Sequence, residues 1–481
     1  TKKHKNAMKT PSSLTPITDT NDFHDPSSSQ SINLTIVSVE ESESIVSSLQ
    51  PFPIDEIGCS PFLRMYAYDL ERLSLQAHIC AKRQDGDEYV VDAILSYKKL
   101  ETLIRTLLAV EAWRTLVLDS PPPSNNEDKN NHHKQEAATN GNDSKDDLHD
   151  FTLAEKIAEN QSSLRCAFIL HVETTLCSLI NLVLYRKENA EELDSDSAVA
   201  LVDYCARQMS SLAAPLANNP MVHKQKYPGT VQETAARIQG RSTLEEIRDN
   251  RLGTEFKTAV VATSLARHLC EHISCLPIGA QTRILDTHDY LQMMIPLIDE
   301  PPWTRRGMGS NGNKDSVHVW EKLLHDHEWK QVAPSDLLQI TQCEAQCWIA
   351  VFHLTCSNVC RERYALNVFR KEQLLRLRKY LNEIMLDQLP ILKDVMRYMD
   401  ELALLNVPET STGQGAALLM QQIDRLREDV LNCQNWQELV DLQCRSFFTA
   451  SDAQDEDLRL IASVYDEENV GCMLDNKTNF F

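Results

Sequence analysis

Apolar residues in this chain recur at the three- and four-residue spacing of a helix face, and the strict alternation of a half-buried strand is nearly absent. "YKKLETLIRTLLAVEAWRTLVL" shows the pattern early, and "LAEKIAENQSSLRCAFILHVETTLCSLINLVLYRK", "DSAVALVDYCARQMSSLAAPLA" and "TEFKTAVVATSLARHLCEHISCLP" extend it. "KEQLLRLRKYLNEIMLDQLP" is the clearest amphipathic helix of the second half. Several helices of about 15 to 22 residues, apolar on more than one side and joined by short polar turns, predict an all-α chain. Stacked helix pairs in an armadillo-like or HEAT-like array would give this pattern. A pair of helical bundles would also do so, since no clean repeat period is present.

Three interruptions set the expected organisation. Residues 1–33 are polar and rich in Ser, Thr and Pro, and residues 119–150 contain no aromatic and one large aliphatic, Leu148. Such stretches bury too little surface to offset the entropy of ordering, so a disordered N-terminal arm and a disordered acidic insertion are expected there. The Pro-, Gly- and Trp-rich connection at 300–334 separates the helical parts at 34–118 and 151–299 from a C-terminal helical block at 335–470, with a tail at 471–481.

Charge narrows the function. The 481 residues carry 48 basic and 70 acidic side chains, a formal charge of −22, and no segment concentrates enough Lys and Arg to bind nucleic acid. The longest apolar stretch, "TLCSLINLVLY" from Thr175, is far below the roughly 20 residues a bilayer requires, so no membrane insertion is expected. The first thirty residues hold no apolar signal segment. Fourteen scattered cysteines suit a reducing compartment better than a disulfide framework.

Two stretches resemble metal sites. "TQCEAQCWIAVFHLTCSNVC", residues 341–360, holds two Cys-x3-Cys pairs. Read as a helix from an N-cap at Ser335, it buries Leu337, Leu338, Thr341, Ala345, Trp348, Ile349, Phe352, Cys356 and Val359 on one stripe, with Cys343 and Cys347 opposite. Cys347 and Cys356 are then roughly 13 Å apart along the axis, too far for four sulfurs to close on one ion. "HLCEH", His268 to His272, matches the H-x-x-E-H signature in which two histidines hold zinc and a glutamate activates water. On a helical wheel from Phe256, apolar residues fill a wide arc and His268, Glu271 and His272 share a narrow strip with Lys257, which reads as solvated. A zinc peptidase through His268, Glu271 and His272 is therefore the minor alternative. His318, His325 and His327 in "HVWEKLLHDHEW" read as a charged surface segment. No phosphate-cradling glycine loop and no nucleophile elbow is present. The chemistry predicted is contact without bond-making: no enzyme, no catalytic residue, no cofactor.

The order and spacing of "IPLIDEPPWTRR", "EWKQVAPSDLLQIT", "QCWIAVFHL", "LRKYLNEIMLDQLP" and "FTASDAQDEDLRL" resemble the zinc finger MYND domain-containing protein 10 family. The earlier stretches "DLERLSLQAHI", "LLAVEAWR" and "LVDYC" are similar too, and the likeness runs from about residue 38 to 470. The resemblance implies an assembly factor for outer and inner axonemal dynein arms, required for motile cilium assembly and motility. It implies a cytoplasmic co-chaperone, at centriolar satellites or dynein assembly particles. The implied partners are dynein heavy and intermediate chains, an Hsp90-type chaperone with its immunophilin, and other dynein assembly factors. The family's zinc resides in a C-terminal MYND finger of closely spaced Cys-x2-Cys pairs. Here Cys472 is the last thiol before Phe481, so the finger, its zinc and the contacts it makes are expected to be missing from this sequence. A generic helical adaptor would share every feature of composition. In either case the connection is the expected contact surface, with Trp303, Trp320 and Trp329 as exposed anchors beside Arg305, Arg306 and Lys330. The competing reading has the tryptophans pinning the loop onto the helices.

Overall fold

The structure, a computed structural model, describes residues 35–83, 87–118, 152–214, 240–308, 318–324, 329–407, 423–432, 436–448 and 455–465. Its principal elements are α1 (Val39–Ser48), α2 (Leu70–Lys82), α3 (Tyr89–Ser96), α4 (Leu100–Ala112), α5 (Leu153–Glu159), α6 (Ser163–Val183), α7 (Ser195–Leu212), α8 (Thr243–Glu271) and α9 (Tyr290–Asp299). Three strands follow, β1 (Thr304–Met308), β2 (His318–Leu323) and β3 (Trp329–Val332). The chain then continues through α10 (Gln342–Cys356), α11 (Val368–Arg376), α12 (Leu392–Leu404), α13 (Arg425–Leu431), α14 (Trp436–Ser446) and α15 (Glu456–Ala462). Short helices and single turns fill the gaps. The all-α class expected from the periodicity is the class observed, with one small sheet as the exception. The segments expected to be disordered, 1–33 and 119–150, lie outside the described residues.

Local chemistry in the sequence starts several helices. Thr152 with Glu155, Ser242 with Glu245 and Thr341 with Glu344 form reciprocal capping boxes at the heads of α5, α8 and α10. The last box corrects the expected helix start: Ser335 falls in a 3-10 turn, Pro334–Asp336, and α10 begins six residues later than that N-cap implied. With the start moved, the buried face changes too. Cys343, Cys347, Trp348, Val351, Leu354 and Thr355 point into the core, while Ala345, Ile349, Phe352 and Cys356 are half-buried and Leu338 is exposed.

The α8 helix is the spine, packing along α6, α7 and α10. Of these, α6 is long and apolar enough to cross a membrane by length and composition, with mean hydropathy 1.7, although no single run in it reaches that length. In the structure most of it is buried against α8, α4 and α2, and Glu173 near its middle is ion-paired inside the protein. The burial is that of a core helix. Arg114, in the turn that ends α4, donates to both carboxylate oxygens of Glu173 at 2.6 and 3.0 Å and to Glu255 of α8 at 2.6 Å. Tyr204 of α7 donates its hydroxyl to Glu173 at 3.1 Å. One buried guanidinium thus joins four helices, and its charge is met before it is desolvated.

Contacts also run between distant parts of the chain. The Trp113 indole donates to Gln443 of α14 at 2.8 Å, and the Gln443 amide donates to the carbonyls of Ile54 and Ile57 at 3.0 and 3.3 Å. Arg64 pairs with Asp457 of α15 at 2.7 Å. A stacked array joins neighbouring repeats. These contacts, hundreds of residues apart in sequence, do not show such an array.

Candidate functional site

Beyond α9 the chain meets Pro301 and Pro302, which lack the N–H a helix would need and hold the backbone extended. The Thr304 N–H closes a turn onto the Pro301 carbonyl at 3.1 Å, and β1 leaves from there. It runs antiparallel to β2 with Arg305 opposite Glu321, and β2 runs antiparallel to β3 with Leu323 opposite Trp329. Side chains alternate, so Arg305, Glu321, Leu323 and Trp329 share one face while Thr304, Trp320 and Lys322 share the other.

On the first face the Arg305 guanidinium lies 3.9 Å from the centre of the Trp329 ring, and its Nε donates to Glu321 at 2.8 Å. The same indole stacks on Phe256 of α8, with centroids 6.0 Å apart and planes 26° from parallel. The sheet is therefore fixed to the spine by a Phe256–Trp329–Arg305 sandwich, a cation–π contact worth about 1 kcal/mol beyond the area it buries. On the second face Lys322 is only 4% exposed. Its ammonium donates to the Gln339 carbonyl at 2.8 Å and reaches the Glu344 carboxylate at 3.3 Å, the same carboxylate that caps α10. A cavity of about 230 Å³ separates the sheet from α10 and the segments beyond it, lined by Trp303, Lys322, Leu338, Trp348, Tyr380 and Met385 among others. The Trp303 indole Nε1 is buried without a hydrogen-bond partner.

These positions correct the expected exposure. Trp303 is 0% exposed, a core residue and not a surface anchor. Trp329 is half-buried under Arg305, so that pair stabilises the sheet from within. Trp320 is half-buried on the opposite face, and Lys330 is exposed. Arg306 sits in β1 opposite Trp320; its side chain, like His325 and His327, lies outside the described residues. His318 pairs in β2 with Met308, so the stretch begins as a strand.

The second candidate cluster lies on α8. His268, Glu271 and His272 are spaced so that one helix face carries all three, and their ligand atoms lie within 4.8 Å of one another. The solvated strip expected here is instead covered: His268 is 4% and His272 7% exposed. Tyr185 covers it from one side, its ring 5.5 Å from the His268 ring and its carbonyl accepting from His272 Nε2 at 3.2 Å. From α10, His353 approaches with Nε2 3.9 Å from the Glu271 carboxylate. Arg267 Nη1 donates to Glu271 Oε2 and to His268 Nδ1, both at 2.5 Å. Burial first, then the Arg267 charge and the neighbouring histidines, push His268 down to about 3. It is neutral at neutral pH, and its Nδ1 lone pair accepts from Arg267. His353, a single imidazole in an apolar stretch, was not singled out from the sequence; only the packing of α10 on α8 reveals it.

Among the described residues the thiols form no comparable set. Burial pushes Cys343 up to about 12 and Cys360 to about 11, and it raises Cys347 and Cys356 as well. Neutral, buried thiols are not the thiolates that a zinc finger needs, and the described cysteines do not fit a MYND finger's ligand set. Cys472 lies outside the described residues.

No family model and no solved structure matches the chain. Among curated proteins, the zinc finger MYND domain-containing protein 10 homolog of Drosophila melanogaster is 25% identical over 392 residues, covering 82% of this chain and 73% of the relative.

Proposed function

We propose that this chain, which belongs to the zinc finger MYND domain-containing protein 10 family, is a non-catalytic assembly factor for axonemal dynein arms. The observation that carries the reading is the extent of the likeness, 392 residues covering 82% of the chain. A predominantly helical scaffold suits such work. Its long helices offer separated contact points for an incompletely folded client, and holding a client requires no bond to be made or broken. In this reading the protein acts in the cytoplasm as a co-chaperone. It brings dynein heavy and intermediate chains to Hsp90-type machinery and its immunophilin, alongside other assembly factors, before the motors enter the cilium.

The sheet is the proposed contact surface. The face that carries Lys322 also carries half-buried Trp320 and the exposed Lys330, and the sandwich of Arg305 and Trp329 on the other face keeps the sheet rigid against α8. Affinity purification of the tagged full chain from cells building motile cilia tests the proposal. Dynein heavy chains and an Hsp90-type chaperone should co-purify above a tag-only control. Recovery of neither, with the chain folded and expressed, would overturn it.

A further inference from the structure

The buried cluster where α8 meets α10 has the composition of a cation site, and the scaffold reading leaves it without a task. Three donors lie within 4.8 Å of one another, the imidazoles of His268 and His272 and the carboxylate of Glu271, and a fourth, the His353 imidazole, approaches with Nε2 3.9 Å from that carboxylate. Their hydrogen bonds fix where the lone pairs point. His272 must donate through Nε2, because its partner there is the Tyr185 carbonyl, and that leaves Nδ1 as the lone-pair nitrogen. His268 accepts from Arg267 through Nδ1, which lies 3.6 Å from Glu271 Oε2. A carbonyl that locks the tautomer of a neighbouring imidazole is the outer-shell arrangement metal-binding histidines use.

The position between these donors already holds positive charge. Arg267 Nη1 stands 2.5 Å from both His268 Nδ1 and Glu271 Oε2. The guanidinium fits poorly, since its Nε is buried with no partner, and the side chain retains a route outward at 14% exposure. A rotation toward solvent would satisfy that N–H and leave the donors facing one another.

We propose that His268, Glu271, His272 and His353 bind a divalent transition-metal ion, zinc by donor type, which exchanges with the Arg267 guanidinium and clamps α8 to α10. Three imidazoles and one carboxylate form a borderline nitrogen–oxygen set suited to zinc. Four protein ligands leave no open position for water, so the ion is structural and not that of a peptidase. No bond of any substrate changes. One ion enters as one side chain swings out. The ligands come from two helices remote in sequence, so binding belongs to the folded chain alone and raises its stability.

The test uses the full chain, stripped with chelator under reducing conditions and titrated with Zn2+, with Co2+ as spectroscopic probe. The expected result is one ion per chain, a cobalt spectrum without a thiolate charge-transfer band, and a higher melting temperature with zinc. His268→Ala and His353→Ala should each weaken binding at least about tenfold. His353 is a fifth exposed on its side chain, so its variant retains a folded reference even if His268→Ala does not. Arg267→Ala removes the internal competitor and should strengthen binding about tenfold. A thiolate band, zinc affinity unchanged in His353→Ala, or weaker binding in Arg267→Ala would each overturn the proposal. None of these results depends on the dynein reading.

Discussion

What a tryptophan contributes depends on what lies against its faces. Trp303 is enclosed and Trp320 is half-open, although both stand in the same short connection. Trp303→Ala should therefore cost about 3–5 kcal/mol of stability, as expected for a large core side chain. Trp320→Ala should cost about 1 kcal/mol or less while lowering recovery of dynein chains. Denaturant melts paired with pull-downs check both, and an unshifted midpoint for Trp303→Ala would contradict its placement. The sequence showed the residue types but not these environments, because Trp303 borders a cavity shared with Lys322, Trp348 and Tyr380, far along the chain. His268 and His272 teach the same lesson. The helical wheel placed them correctly beside Glu271, but it could not show Tyr185 and α10 closing over the strip.

A pH dependence also belongs at this scale. His78 donates through Nδ1 to the Ser74 carbonyl at 2.7 Å and contacts the Ser178 hydroxyl through Nε2 at 3.0 Å. Burial first, with Lys82 adding, holds it below its usual 6.5, against the opposing pull of the Ser74 carbonyl and Glu71. The unfolded chain then takes up this proton before the folded chain does. Stability is complete above about pH 6.5 and declines as the pH falls below it. Melts at pH 7.5 and about pH 5.5 should show a smaller acid loss in His78→Gln than in the parent chain. An equal loss would remove His78 as the cause.

At the scale of elements, the start of α10 shows where local signals compete. Ser335 and Thr341 both precede apolar residues, and Leu337 and Leu338 continue the helical spacing backwards, so periodicity alone could not choose between them. The reciprocal box with Glu344 decides it. Thr341→Ala should cost about 1 kcal/mol, whereas Ser335→Ala should stay within about 0.5 kcal/mol. Equal costs in thermal melts would contradict the assignment. The sheet escaped the sequence reading for a related reason. Its strands are four to six residues long and carry adjacent charges, Arg305–Arg306 and Glu321–Lys322, so they lack the apolar alternation that marks a half-buried strand. Its stability comes from Phe256 beneath Trp329 and from the Lys322–Glu344 pair, neither visible as a pattern.

Across the whole molecule, the helices are tied by a few buried polar groups. Arg114 links α4, α6 and α8 through Glu173 and Glu255, and Gln443 links the C-terminal part to residues 54 and 57 and to Trp113. Arg114→Met leaves buried Glu173 without its countercharge and Glu255 with Arg251 alone, and should cost about 3–5 kcal/mol. A variant as stable as the parent would show that the network contributes little. Helix content was legible from spacing, because helical periodicity is local. The joining of residues 54–57 and 113 to 443 was not, because such contacts depend on which faces meet after folding.

The central claim is that this helical body serves dynein assembly by contact alone. Depleting the protein in cells building motile cilia, then measuring dynein heavy-chain abundance in the cytoplasm and on axonemes, tests that claim most directly. Both pools should fall and be restored by the full chain. Unchanged heavy-chain abundance with fully armed axonemes would contradict it.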